Sequence, residues 1–255
     1  MPTIFRDTGL SPTASQEHND IKKVFIQEKL RDMGVPMSQV CLGDFDYIGE
    51  LTARKNRSKD SENYHNSGAF FRPNYERGIL IYYLIKKFNL ESFLEIGYGR
   101  GYSCFCDAKA FSELGRGTVT TVDPNLDEKQ VNHLTQFFPE EWFERIKFCK
   151  ATSDAFFLSN SENYDLIYID GDHRYEAVKN DWENAKERHN KFVLFDDYEF
   201  TGKKIQDIEV AGVVNTINDP SKELIIMDRR IFQDDRNIAD KDMQYGQVLI
   251  SKSPA

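Results

Sequence analysis

No stretch of the chain approaches the roughly 18 consecutive apolar residues that a membrane-spanning helix needs, so no membrane partner is expected. The N-terminus, Met-Pro-Thr-Ile-Phe-Arg-Asp, lacks the basic-then-apolar order of a secretory signal, and a cytoplasmic location is expected. Cysteine is scarce and scattered, at Cys41, Cys104, Cys106 and Cys149. Cys104 and Cys106 have one residue between them inside an expected helix, so they point to different faces. That is not a zinc spacing, and buried free thiols are expected. Basic residues are outnumbered, 33 against 42 acidic, for a formal net charge of −9. This disfavours general electrostatic binding to nucleic acid. Internal repeats and low-complexity segments are absent.

What is present is a chain long enough to bury a sizeable core. Its 255 residues suit one large domain, or one domain with an extension. With 40% hydrophobic and 13% aromatic residues it can bury a core and is not composed like a disordered chain. Residues 1–14 carry Pro2, Gly9 and Pro12 and read as an arm. Residues 15–33 place Ile21, Val24, Phe25 and Leu30 at helical spacing, and Gly34 and Pro36 end that helix. A second helix is expected over 38–51. Residues 52–68 are polar and turn-rich, a candidate lid. The expected division is therefore a helical cap and lid, 1–72, which is also a candidate dimer contact, and a main domain, 73–255.

From residue 75 the pattern alternates. A helix at 75–88 is followed by strand 92–97, helix 101–115, strand 117–123, helix 127–138 and strand 146–150. Helix 153–159, strand 164–170, helix 174–189 and strand 191–197 continue it. Two further β runs close the chain at 223–227 and 246–251. This order predicts a parallel sheet with helices on both faces.

The most informative stretch is 94–101, Leu-Glu-Ile-Gly-Tyr-Gly-Arg-Gly. A strand ends at Glu95 and Ile96, a loop has glycine at every second position, and a helix follows. Gly97, Gly99 and Gly101 permit backbone angles closed to other residues and the close approach of a ligand. Asp123 ends the next strand roughly 20 residues on, where a βαβ unit places a ribose-binding carboxylate. It could instead cap the turn at Pro124. Two further strands end in Asp170-Gly171-Asp172-His173 and in Asp196-Asp197. The carboxyl ends of parallel strands form the ligand crevice of such sheets.

Residues 75–252 resemble the class I S-adenosylmethionine-dependent methyltransferases. Glu95-Ile96-Gly97-Tyr98-Gly99-Arg100-Gly101 is similar to the first motif of that family. A dinucleotide dehydrogenase would more usually show G-x-G-x-x-G. The resemblance implies an α/β, Rossmann-like, doubly wound, seven-stranded and mostly parallel sheet with an antiparallel last strand, plus the N-terminal helical extension. It implies S-adenosylmethionine on the glycine loop, with Asp123 on the ribose. Glu95 would orient the loop or receive the donor's amino group. Thr152, Ser153 and Asp154 would meet the adenine edge, although Asp154 could equally cap a helix.

A narrower resemblance rests on Ile169-Asp170-Gly171-Asp172-His173-Arg174-Tyr175-Glu176 and Phe195-Asp196-Asp197-Tyr198. These are similar to the metal-dependent small-molecule O-methyltransferases of catechol and macrolide-sugar type. That implies Asp170, Asp196 and Asp197 as ligands of Mg²⁺ or another divalent cation, Asp170 also lying beside the cofactor, and His173 as general base. The implied partner is a small hydroxylated acceptor such as a sugar or glycoside. Asp172 would support His173 or cap a helix. Competing readings are a metal-free methyltransferase, a dinucleotide oxidoreductase and a non-catalytic cofactor-binding module. Trp142 and Trp182 read as packing residues.

Overall fold

The computed structural model describes residues 21–36, 38, 40, 75–99, 101–135, 138–200, 208–226 and 245–252. The expected arm at 1–14, the lid at 52–68 and nearly all of the helix at 38–51 lie outside them. The strands are β1 Lys22–Phe25, β2 Ser92–Ile96, β3 Thr118–Val122, β4 Ile146–Cys149, β5 Tyr164–Ile169, β6 His189–Glu199, β7 Glu223–Ile226 and β8 Tyr245–Ser251. The helices are α1 Ile26–Asp32, α2 Tyr75–Phe88, α3 Tyr102–Leu114, α4 Glu128–Leu134, α5 Glu140–Phe143, α6 Ser153–Ser159, α7 Tyr175–Arg188 and α8 Val210–Val214.

All eight strands form one sheet in the order β1-β7-β8-β6-β5-β2-β3-β4. From β6 through β5, β2 and β3 to β4 every pairing is parallel. β8 runs antiparallel to both β6 and β7, as the closing β runs predict. The chain winds outward from β2 through β3 to β4, then returns to β5 on the other flank. The gap between β2 and β5 is thus the topological switch point, where this class of sheet binds its ligands. Two apolar clusters fill the faces. One joins α1, α2 and α3 to the sheet through residues such as Leu30, Leu84 and Phe105. The other joins α6, α7 and α8 through Phe157, Val178 and Val213. Trp142 stacks on Phe138 and Trp182 packs against Phe195, as packing residues should. Cys104 and Cys106 are buried free thiols.

The N-terminal expectation needs correcting. A helix over 15–33 is not what forms: residues 22–25 are an eighth strand, parallel to β7, and the helix is only Ile26–Asp32. The sheet therefore has eight strands rather than seven. Tertiary pairing overrides the helical spacing here. Lys22 sits opposite Glu223 in the register. The Lys22 and Lys29 ammonium groups both pair with the Glu223 carboxylate, Lys22 at 2.6 Å. Val24 and Phe25 are buried. The strand gives the β7 edge a partner, and α1 turns back across its end. The expected helix 127–138 is also two shorter ones, α4 and α5, with Pro139 as the N-cap of α5.

Candidate active site

The glycine loop sits at the switch point because the backbone there closes tightly. The Gly97 amide donates to the Val122 carbonyl at 2.9 Å, and the Asp170 amide donates to the Ile96 carbonyl at 2.9 Å. A β-carbon on Gly97 would lie 2.2 Å from the Asp170 carbonyl oxygen, and Gly97 has φ +96°. Only glycine lets β2 and β5 approach this closely at that angle. Gly101, φ +86°, is the N-cap of α3. Asp123 receives the Gly99 amide at 3.1 Å and the Asn125 amide at 2.7 Å. The strand-end carboxylate thus touches the glycine loop across the crevice.

Glu95 lies beneath that loop and is fully buried. Ser103, from the first turn of α3, donates to one carboxylate oxygen, and Thr121 of β3 donates to the other at 2.6 Å. Burial pushes the Glu95 carboxyl up to about 8, against the lowering effect of those two hydrogen bonds. This geometry suits an anchor of the loop. Asp107, one turn beyond Ser103 on α3, is also fully buried, and neither carboxylate oxygen has a hydrogen-bond partner. Burial, reinforced by the nearby Glu95, raises its pKa as well.

Thr152, Ser153 and Asp154 open α6. The Thr152 hydroxyl accepts the Ala155 amide as an N-cap, at 3.3 Å. Asp154 accepts from Asn180. Ser153 hydrogen-bonds Asp181, whose carboxyl is raised by burial to about 6. Each of the three side chains thus has a local structural partner.

The second acid cluster stands across the crevice, at the ends of β5 and β6. Consecutive strand residues ordinarily point to opposite faces. Here the β6–β8 register shifts between Phe195 and Tyr198, and Asp197 takes the left-handed φ of 49°. That bulge turns Asp196 and Asp197 toward one cation, the guanidinium of Arg77 in the first turn of α2. Arg77 Nη1 lies 3.0 Å from Asp170 Oδ2, and Nη2 lies 3.5 Å from Asp197 Oδ1. Nη2 also contacts Asp196 Oδ2. Although burial disfavours its charge, the acids around Arg77 raise its pKa further. Asp196 is nearly fully buried, and its other oxygen accepts from Gln247 Nε2 at 3.3 Å.

His173 follows Asp170 by three residues and enters the same cluster. Its Nε2 lies 3.5 Å from Asp170 Oδ1 and 3.4 Å from Asp197 Oδ2. Asp170 and Asp197 therefore each present one oxygen to Arg77 and the other to His173. Burial raises the Asp170 carboxyl to about 7, with Arg77 opposing it. The Asp170 carboxylate beside it raises the His173 pKa, against burial. Asp170, His173 and Asp197 each offer a ligand atom, and these atoms lie within 4.8 Å of one another.

Asp172 turns away from this group. Its carboxylate is bound by Arg174, which holds it down at about 2. The α7 N-terminus is capped from elsewhere: Glu209 accepts the Tyr175 amide at 2.9 Å and donates its own amide to the His173 carbonyl at 2.8 Å.

The structure places Asp170, His173, Asp196 and Asp197, which the sequence singles out, around Arg77. Sequence reasoning misses Arg77, Gln247 and Tyr168, whose hydroxyl donates to Asp170 at 3.3 Å. Arg77 did leave a signal. It stands beside Glu76 at the front of a helix whose following turns, 79–85, are aliphatic and aromatic, and a buried charge needs partners.

Residues 94–198 match the family described as methyltransferase domain. That segment runs from the glycine loop to the second acid cluster. No curated protein matches the chain. Among solved structures, cofactor-bound Rv0187 from MTB is similar in fold, with a TM-score of 0.56 and 12% identity over 80% of this chain and 88% of that one. The O-methyltransferase TomG from Streptomyces achromogenes, involved in tomaymycin synthesis and solved with S-adenosylmethionine, has a TM-score of 0.53 at 13% identity. That match covers 82% of this chain and 90% of TomG. No helix among the described residues is long and apolar enough to cross a membrane.

Proposed function

We propose that the protein is an S-adenosylmethionine-dependent O-methyltransferase acting on a small hydroxylated acceptor, such as a sugar or glycoside, with a divalent cation at the second acid cluster. One observation carries the reading. The glycine loop with Asp123 and the Asp170–His173–Asp197 group stand at adjacent strand ends on either side of one switch point.

Gly97, Gly99 and Gly101 would admit the donor against the backbone, and Asp123 would accept its ribose hydroxyls, since an ionised carboxylate only accepts. Bound S-adenosylmethionine supplies an already activated methyl group. The protein's own tasks are then to align the acceptor and to remove its proton. The cluster fits a divalent cation on chemical grounds. Its donors are hard oxygens with one imidazole beside them. Three carboxylates face the single guanidinium of Arg77, a charge that a dication would balance. A cation held by Asp170 and Asp197 would supply Lewis acidity that eases deprotonation of the acceptor hydroxyl. His173 would take the acceptor proton on Nε2, and Asp170 and Asp197 would stabilise the imidazolium formed.

Arg77 favours a second reading. It already pairs with the acids, so a metal-free methyltransferase would use it as the cluster's cation. Methyl transfer from labelled S-adenosylmethionine to a panel of sugars and phenols, with and without chelator, separates the two. The metal-assisted reading predicts turnover that chelator abolishes and Mg²⁺ or Mn²⁺ restores. His173→Ala should lower turnover roughly 10²–10⁴-fold if proton removal limits the rate. Full turnover in excess chelator would leave the metal-free reading, and no turnover on any acceptor would count against both.

A further inference from the structure

The acid cluster is not symmetric about Arg77. Asp196 is committed on both sides, with Oδ2 on the guanidinium and Oδ1 on Gln247. Asp170 and Asp197 each turn one oxygen to the guanidinium and the other toward His173 Nε2, where those second oxygens converge. Resting on the metal-assisted reading above, we propose that Arg77 is a built-in competitor of the metal. It withdraws Asp196 from the ligand set as its own counter-ion, and it fixes Asp170 and Asp197 so that one oxygen of each faces the metal. Arg77 is thus a positioning residue that sets the charge offered to the cation.

The charge ladder makes this testable by binding alone. With all three carboxylates ionised and His173 neutral, the state that binds a cation, the three acids and one guanidinium leave the cluster at −2. Arg77→Met leaves −3 and releases Asp196. Asp196→Asn leaves −1 and presses Arg77 onto the two remaining acids. The double variant returns to −2 with neither group present. A unit charge a few ångströms from a divalent ion changes its binding by roughly tenfold or more, even in a well-screened site.

The experiment is titration of Mn²⁺ into the full chain, followed by calorimetry and by the Mn²⁺ paramagnetic resonance signal, with circular dichroism to check folding. Arg77→Met should bind roughly tenfold tighter than wild type, and Asp196→Asn should bind roughly tenfold weaker. The double variant should match wild type within about threefold. A merely structural role for Arg77 would weaken binding in every Arg77 variant. If Asp196 were a true ligand, the double variant would fall roughly a hundredfold or more, because loss of even a supporting group outside the ligand set costs 10–100-fold. Either result in a folded protein would overturn the proposal, and so would no binding in any of the four proteins. If Arg77→Met fails to fold, the double variant, which removes Arg77 together with the buried acid it neutralises, decides alone. Binding by Arg77→Met with none by wild type would support the competition while ending the metal-assisted function. A failure to find methyl transfer would leave all these binding outcomes in place.

Discussion

Replacing Glu95 with glutamine should make the protein more stable in mild alkali and leave it nearly unchanged in mild acid. Glu95 is fully buried, and its carboxyl titrates near 8 rather than the ordinary 4.5. The folded state therefore holds a proton that the unfolded chain releases. A raised pKa contributes stability that is complete below about 4.5 and is lost as pH rises toward about 8. At about 1.4 kcal/mol for each pH unit, the full span is worth about 5 kcal/mol as an upper bound. Solvent relaxation around the buried group would reduce it. Glutamine resembles the protonated acid in shape and can still meet Ser103 and Thr121. The variant should match wild type at pH 5 and exceed it by a few kcal/mol at pH 8.5. Asp107 keeps part of the slope, because burial and Glu95 raise it too. Urea melts at half-unit steps from pH 4.5 to 8.5 measure the difference between the two proteins. Parallel pH profiles would refute the argument. So would a variant less stable at pH 8.5, which would mean that the ionised carboxylate is what holds Ser103 and Thr121.

Two further predictions concern the frame of the site. Gly97→Ala should cost several kcal/mol, since the new methyl would meet the Asp170 carbonyl at 2.2 Å in a strained φ of +96° and strain alone contributes about 1–3 kcal/mol. A thermal melt within a degree or two of wild type would contradict the tight β2–β5 closure. Glu223→Gln should loosen β1, because it weakens both lysine pairs. Hydrogen exchange of the 22–25 amides should then rise several-fold while β5 stays protected. Equal protection in both proteins would show that backbone pairing and apolar burial alone hold the strand.

The sequence made much of this legible where a local signal coincided with a tertiary need. The glycine loop is one case: the positive-φ residues it requires are written as glycine, and the next strand's acid is counted off by the length of a βαβ unit. The antiparallel β8 was legible because no long helix intervenes between the closing β runs. The strand at 22–25 was not, because Ile21, Val24, Phe25 and Leu30 satisfy a helical period and only the β7 edge selects the strand. Arg77 could not be placed on the acids from sequence, since nearly a hundred residues separate it from Asp170. The bulge at Asp196 and Asp197 was equally hidden, because its cause is the register against β8.

The most direct test is titration of S-adenosylhomocysteine into the wild-type protein and into Asp123→Ala. The account predicts saturable one-to-one binding to wild type and no binding of NAD(H). A charged hydrogen-bond partner is worth about 1.5–3 kcal/mol, so Asp123→Ala should bind roughly 10–150-fold more weakly. Absence of binding to the folded wild-type protein, or equal affinity in the two proteins, would contradict a cofactor seated on the Gly97–Gly101 loop with its ribose on Asp123.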